Sequence, residues 1–157
     1  MDGIDKLDDG RYAVIMRRIV VDTNVLVAAL RVAVGATGAS RDLVRAVLMG
    51  RYCPLFGNAL WLEYEDLLGR PVWTPATTDR ERREVIDAFI AAGEWIRVSY
   101  TWRPNLTDEA DNHLFELAVA GNAEAIVTYN VDDFRRGELR WPGLEILTPA
   151  ECLERLP

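Results

Sequence analysis

The chain has 157 residues, half of them apolar and 27% charged, which suits one domain with a filled core. Its net charge of −7, from 25 Asp and Glu against 18 Lys and Arg, excludes a broad basic face for gripping nucleic acid. No apolar run reaches the ~18–20 residues that span a bilayer, and the polar, acidic start is no secretory signal, so a cytoplasmic protein with no membrane partner is expected.

Residues 1–15, carrying Asp2, Asp5, Asp8, Asp9 and two glycines, read as a flexible leader ahead of a domain over 16–157, with Met16 as a candidate true start. Residues 19–21 form a short apolar run of strand type, and Thr23–Leu30 has helical character. A loop of small residues from Gly35 ends at Ser40, the expected N-cap of a helix over 41–49 closed by Gly50. Tyr52–Phe56 is a second strand. Asn58 is expected to cap a helix through Leu68, which Gly69 and Pro71 terminate. Thr78 opens an amphipathic helix with Val85, Ile86, Phe89 and Ile90 on one face and Arg80, Arg82 and Arg83 near its start, most simply a solvated basic turn.

A third strand is expected over 95–98, a helix over 108–120 and a fourth strand over 125–128. A helical turn follows over 132–136, then a fifth strand over 144–147 and a last helix from Pro149. Short apolar strands alternating with helices predict an α/β domain with a buried, mainly parallel sheet. Cys53 and Cys152 have neither metal nor disulfide spacing and fit small apolar sites.

Open parallel sheets bind ligands beyond the C-terminal ends of their strands. Asp22 directly follows the first strand; Thr128, Tyr129 and Asn130 close the fourth, with Asp132 and Asp133 just beyond. Asp108 and Asp111 begin the preceding helix, and Glu63 lies in the helix after the second strand. Acids from four segments near one rim make the oxygen-rich site that Mg²⁺ or Mn²⁺ takes. Two carboxylates ~4 Å apart repel by roughly 4 kcal/mol at an effective dielectric near 20, so such a cluster binds a cation or takes up protons.

Singly, each acid has a plainer use. Asp22 and Asp108 suit helix N-caps, Glu63 joins Glu65 and Asp66 as a solvated acid, and Asp132 and Asp133 favour a turn. His113, the sole histidine, is assigned at most a supporting place behind the carboxylates.

These residues resemble the PIN-domain family, especially its bacterial VapC-like toxin branch. RRIVVDTNVLV around Asp22 is similar to the family's first strand and metal-binding Asp, and NALWLEYEDLLGRP places Glu63 at its second acid. DEADNHLFELA places Asp111 at the catalytic-acid position, and AIVTYNVDDF resembles the fourth element. Many relatives carry Asp where Asn130 stands; others with Asn supply an Asp three residues later, here Asp133, so the fourth ligand and a second metal position stay open.

The resemblance implies a three-layer α/β/α sandwich and metal-dependent endoribonuclease chemistry on an RNA substrate. It also implies a homodimer and a small antitoxin partner. The implied catalytic residues are Asp22, Glu63, Asp111 and Asp133, the first three holding Mg²⁺ or Mn²⁺, with Thr23, Asn24, Thr128 and Asn130 orienting ligands, water or phosphate. A catalytically weak PIN-like binding module is the alternative. A haloacid-dehalogenase-type phosphatase would show Asp-x-Asp, but position 24 is Asn, and a receiver domain would need a lysine after a late strand, whereas the only lysine is Lys6.

Overall fold

Runs of β-branched and aromatic residues that are apolar throughout, rather than alternately, belong to strands covered on both faces. The computed structural model describes residues 4–6, 12–14, 16–33, 35, 37–98, 112–136 and 141–157. Within the first fifteen residues, β1 (Ile4–Lys6) and β2 (Tyr12–Val14) pair antiparallel as a separate ribbon. The main sheet comprises β3 (Arg17–Val21), β4 (Tyr52–Phe56), β5 (Glu94–Trp95), β6 (Ala125–Val127) and β7 (Glu145–Leu147). Its order is β5-β4-β3-β6-β7, parallel throughout, with Val20 opposite Ile126 and Ile19 opposite Pro54. Ile19, Val20, Val21, Ile126 and Val127 are wholly buried, as a central parallel sheet requires.

The helices are α1 (Thr23–Leu30), α2 (Ala39–Leu48), α3 (Asn58–Leu67), α4 (Asp79–Ala91), α5 (Asn112–Ala120), α6 (Val131–Arg135) and α7 (Pro149–Arg155). They complete the expected three-layer α/β/α arrangement: α5 packs on β3, β4 and β6, and α7 on β6, β7 and α2. Thr78 and Thr148 each form a reciprocal capping box, with Glu81 and Glu151, and Pro149 follows in the first turn where its missing N–H costs nothing.

Two expected caps are corrected. Gly38, at φ +154°, is the N-cap of α2, so Ser40 lies buried inside the first turn. Gly57 is the N-cap of α3, so Asn58 is its first helical residue. The third strand is shorter than expected, because β5 pairs only Glu94 and Trp95 with β4, followed by one bond from the Ile96 N–H to the Phe56 carbonyl at 2.7 Å. Asp108, Asp111 and Trp102 lie outside the described residues. Among the described residues no helix is long and apolar enough to cross a membrane.

The rings of Phe56, Tyr64 and Phe89 meet edge to face with centroids 5.7–6.1 Å apart, locking β4, α3 and α4 together. Gly93 turns the chain from α4 into β5 directly above this cluster. A Cβ there would collide with the Phe56 ring and the Pro54 carbonyl, whereas one at Gly69 meets nothing closer than 3.8 Å. Gly93→Ala is therefore expected to lower the unfolding free energy by about 1–3 kcal/mol, and Gly69→Ala by less than about 0.5 kcal/mol, in urea titrations followed by circular dichroism.

Candidate active site

Asp22 is the first residue beyond β3, and its N–H donates to the Val127 carbonyl at 2.9 Å, which fixes it at the joint of β3 and β6. It occupies the N-cap position of α1, yet its side chain makes no capping bond. The carboxylate instead accepts from the Thr128 hydroxyl at 2.8 Å and from the Thr23 hydroxyl at 3.4 Å, and only 5% of the residue is exposed. The wholly buried Thr128 hydroxyl also accepts from the Asn130 N–H at 3.0 Å and the Asn24 amide at 3.4 Å. Asn24 closes the circuit by accepting from the Tyr129 N–H at 3.3 Å. The residues expected to orient ligands thus form one network, and what they orient is Asp22.

Glu63 reaches the same place from α3. The next residue, Tyr64, turns into the core, where its buried hydroxyl donates to the Val21 carbonyl, immediately before Asp22. Seating α3 in this way brings the Glu63 charge to bear on Asp22. One Glu63 oxygen meets His113 Nε2 at 2.7 Å, a contact that sequence alone did not assign. The available signal was a helical one: Leu60, Tyr64 and Leu67 lie on one apolar face of α3, which places Glu63 at its edge.

Burial raises the Asp22 pKa, hydrogen bonds from Thr128 and Thr23 lower it, and the Glu63 charge raises it; the net shift is upward from 3.8. Burial, reinforced by the charges of Asp22 and Glu63, also pushes the Tyr64 hydroxyl well up, so it stays a donor. No cation among the described residues pairs with Asp22. A buried carboxylate without a cationic partner, facing a second carboxylate, is a donor set that fits a hard divalent ion.

The remaining expected residues are placed differently. Asp111 lies just before α5, outside the described residues. Asp133 is half-buried and Asp132 exposed in the first turn of α6, and neither is among the groups acting on Asp22. Of the three arginines expected to be solvated at the start of α4, Arg80 and Arg83 are exposed and paired with Glu84 and Glu65. Arg82 is a correction: it is 6% exposed, stacks 4.9 Å from the centre of the Trp73 ring and donates to the Thr77 carbonyl at 2.5 Å.

The family model described as PIN domain matches residues 18–132. Among solved structures, the chain is similar to VapBC2 from Rickettsia felis, solved bound to a DNA fragment from its promoter; identity is 14%, TM-score 0.52, and the match covers 82% of this chain and 96% of that one. No curated protein matches the chain.

A raised acid pKa has a definite consequence for stability. Above the ordinary carboxylate range the folded chain binds more protons at Asp22 than the unfolded chain does, so Asp22 favours folding less as pH rises through its raised value. Asp22→Asn should therefore raise the melting temperature of metal-free protein at pH 7, and the gain should shrink toward pH 4. A gain that is the same at both pH values would contradict the assignment.

Proposed function

The chain belongs to the PIN-domain family, and from that membership we propose that it is a metal-dependent endoribonuclease hydrolysing RNA phosphodiesters, the toxin of a toxin–antitoxin pair in the cytoplasm. The observation that carries this reading is the use of Asp22: a carboxylate at a helix start that declines to cap, is held by Thr128 and faces Glu63. An acid serving only the fold as an N-cap would bond the Asn24 or Val25 N–H, and Asp22 makes no such capping bond. Proposed partners are RNA, a second copy of the chain and a small antitoxin.

Asp22 and Glu63 would hold Mg²⁺ or Mn²⁺, with Asp111 as the proposed third ligand and Asp133 closing the site directly or through water. When bound, the ion supplies acidification of a water and neutralisation of charge on the phosphate. The chain's own part is orientation. Thr128 fixes one Asp22 oxygen, and His113 occupies one Glu63 oxygen and leaves the other for a ligand. Asn24 ties the start of α1 to the strand end at Tyr129, so Asp22 after β3 and the loop after β6 keep one spacing. Burial of Asp22 keeps bulk water from competing for it.

Three outcomes test this. Mn²⁺ at 100 times its dissociation constant should stabilise the fold by about 2.7 kcal/mol, read as a rise in melting temperature. Thr128→Val keeps the volume but loses the bond to Asp22, and should weaken metal binding by about 10–100-fold in the same assay. Cleavage of a mixed RNA pool should need metal and disappear in Asp22→Asn and in Asp111→Asn. Metal binding without cleavage of any RNA would favour the catalytically weak binding module instead.

A further inference from the structure

Beside the acidic rim, a cavity of about 310 Å³ opens between the first turn of α3 and the segment that follows β5. That volume lies in the ~300–1,000 Å³ range of small-ligand sites. Its walls include Trp95, Arg97 and Asn58, and its inner side is formed by His113, Glu116 and Leu117. None of the side-chain contacts derived above uses Trp95 or Arg97.

Trp95 sits on edge strand β5 with 55% of its surface exposed, an unusual position for the largest apolar side chain in a strand. Its ring forms part of the cavity wall, and base–aromatic stacking accepts any nucleobase. Arg97, two residues on, is exposed and makes no ion pair among the described residues, although most other arginines of the chain are engaged. The first amides of α3 also line the cavity, and the N-cap Gly57 has no side chain to satisfy them. Glu116, only 6% exposed and engaged in a contact of its own, also lines the cavity.

This distribution of chemistry orients a ligand. Phosphate belongs near Arg97 and the first turn of α3, and an aromatic plane on Trp95. The cavity is also one side chain from the acids, because His113 lines it while bonding Glu63 at 2.7 Å. A chain of net charge −7 cannot hold RNA by a general basic field, so local contacts of this kind must supply much of its affinity.

We propose that this cavity is a subsite for one unpaired nucleotide of the RNA strand, next to the phosphodiester presented to the acidic rim, with its base stacked on Trp95 and its phosphate held by Arg97. The proposal rests on the ribonuclease reading of the adjoining site. A duplex cannot enter, because a paired base keeps its faces stacked within the helix.

The test uses the full chain and an end-labelled eight-nucleotide RNA, with binding read by fluorescence anisotropy in Ca²⁺ and cutting read in Mn²⁺. Trp95→Ala should weaken single-strand binding by about 5- to 100-fold, Trp95→Phe should retain most of it, and binding of the same RNA as a duplex should not change. An abasic residue beside the cut site should reproduce the loss with the wild-type chain, an arm that needs no variant to fold. Unchanged affinity in Trp95→Ala and with the abasic RNA, while the wild-type chain binds and cuts, would overturn the subsite and leave the nuclease standing. A wild-type chain that neither binds nor cuts RNA would remove both. Unchanged RNA affinity in Trp95→Ala with a dimer turned to monomer in light scattering would overturn the subsite and reassign Trp95 to contact between copies.

Discussion

The hydrogen bond from the buried Tyr64 hydroxyl to the Val21 carbonyl is where the core and the acidic rim become one structure. A phenol buried without a partner loses the hydration of its hydroxyl, a cost of about 1–3 kcal/mol, so α3 is held to the one rotation and depth at which the bond forms. The Phe56 and Phe89 rings brace the same side chain from β4 and α4. Because Glu63 precedes Tyr64 and Asp22 follows Val21, fixing this bond also fixes the approach of the two carboxylates. The spacing of the acids is thus a property of aromatic packing, and a mutation deep in the core can disturb the site without touching an acid.

Asp22 shows what that spacing costs. Removing a carboxylate from water and placing Glu63 near it both disfavour its charge, and the Thr128 and Thr23 hydroxyls only partly compensate. An arginine beside Asp22 would relieve the tension and fill the site. The described arginines are placed elsewhere, Arg41 on the Ala29 carbonyl and Arg82 on Thr77 and Trp73. Among the described residues no cation relieves this buried acid and its repulsion by Glu63, which is the arrangement that a cation arriving from outside would relieve.

The elements were legible where one physical signal decided them. The boundaries of α1 and β4 follow directly from apolar runs ended by polar or glycine residues, and Thr78 and Thr148 carry capping boxes that can be read residue by residue. Ser40 and Asn58 misled because each is a good capping residue placed two or one positions after a glycine that takes the cap, Gly38 through its backbone freedom and Gly57 in ordinary extended backbone. Asp22, Glu63 and the Thr128 network were legible because strand ends collect ligands in parallel sheets. Tyr64, the His113–Glu63 contact and the Trp95 cavity were not, since each joins segments far apart in the chain through side-chain directions that no local pattern encodes.

The balance of charge explains why a protein so acidic can be read as acting on a polyanion. Its arginines are largely spent within the fold: Arg17 pairs with Glu124, Arg18 with Glu94 and the Gly121 carbonyl, Arg70 with Asp66 and Arg155 with Glu145. Little free cationic surface then remains to hold RNA indiscriminately, and counterion release contributes correspondingly little to binding. On the ribonuclease reading, recognition would be concentrated where a metal ion neutralises the carboxylates and where Trp95 and Arg97, unpaired among the described residues, stand beside them. Such a site would favour a strand whose bases are already exposed, and the choice of RNA would then depend on local unpaired structure more than on length or charge.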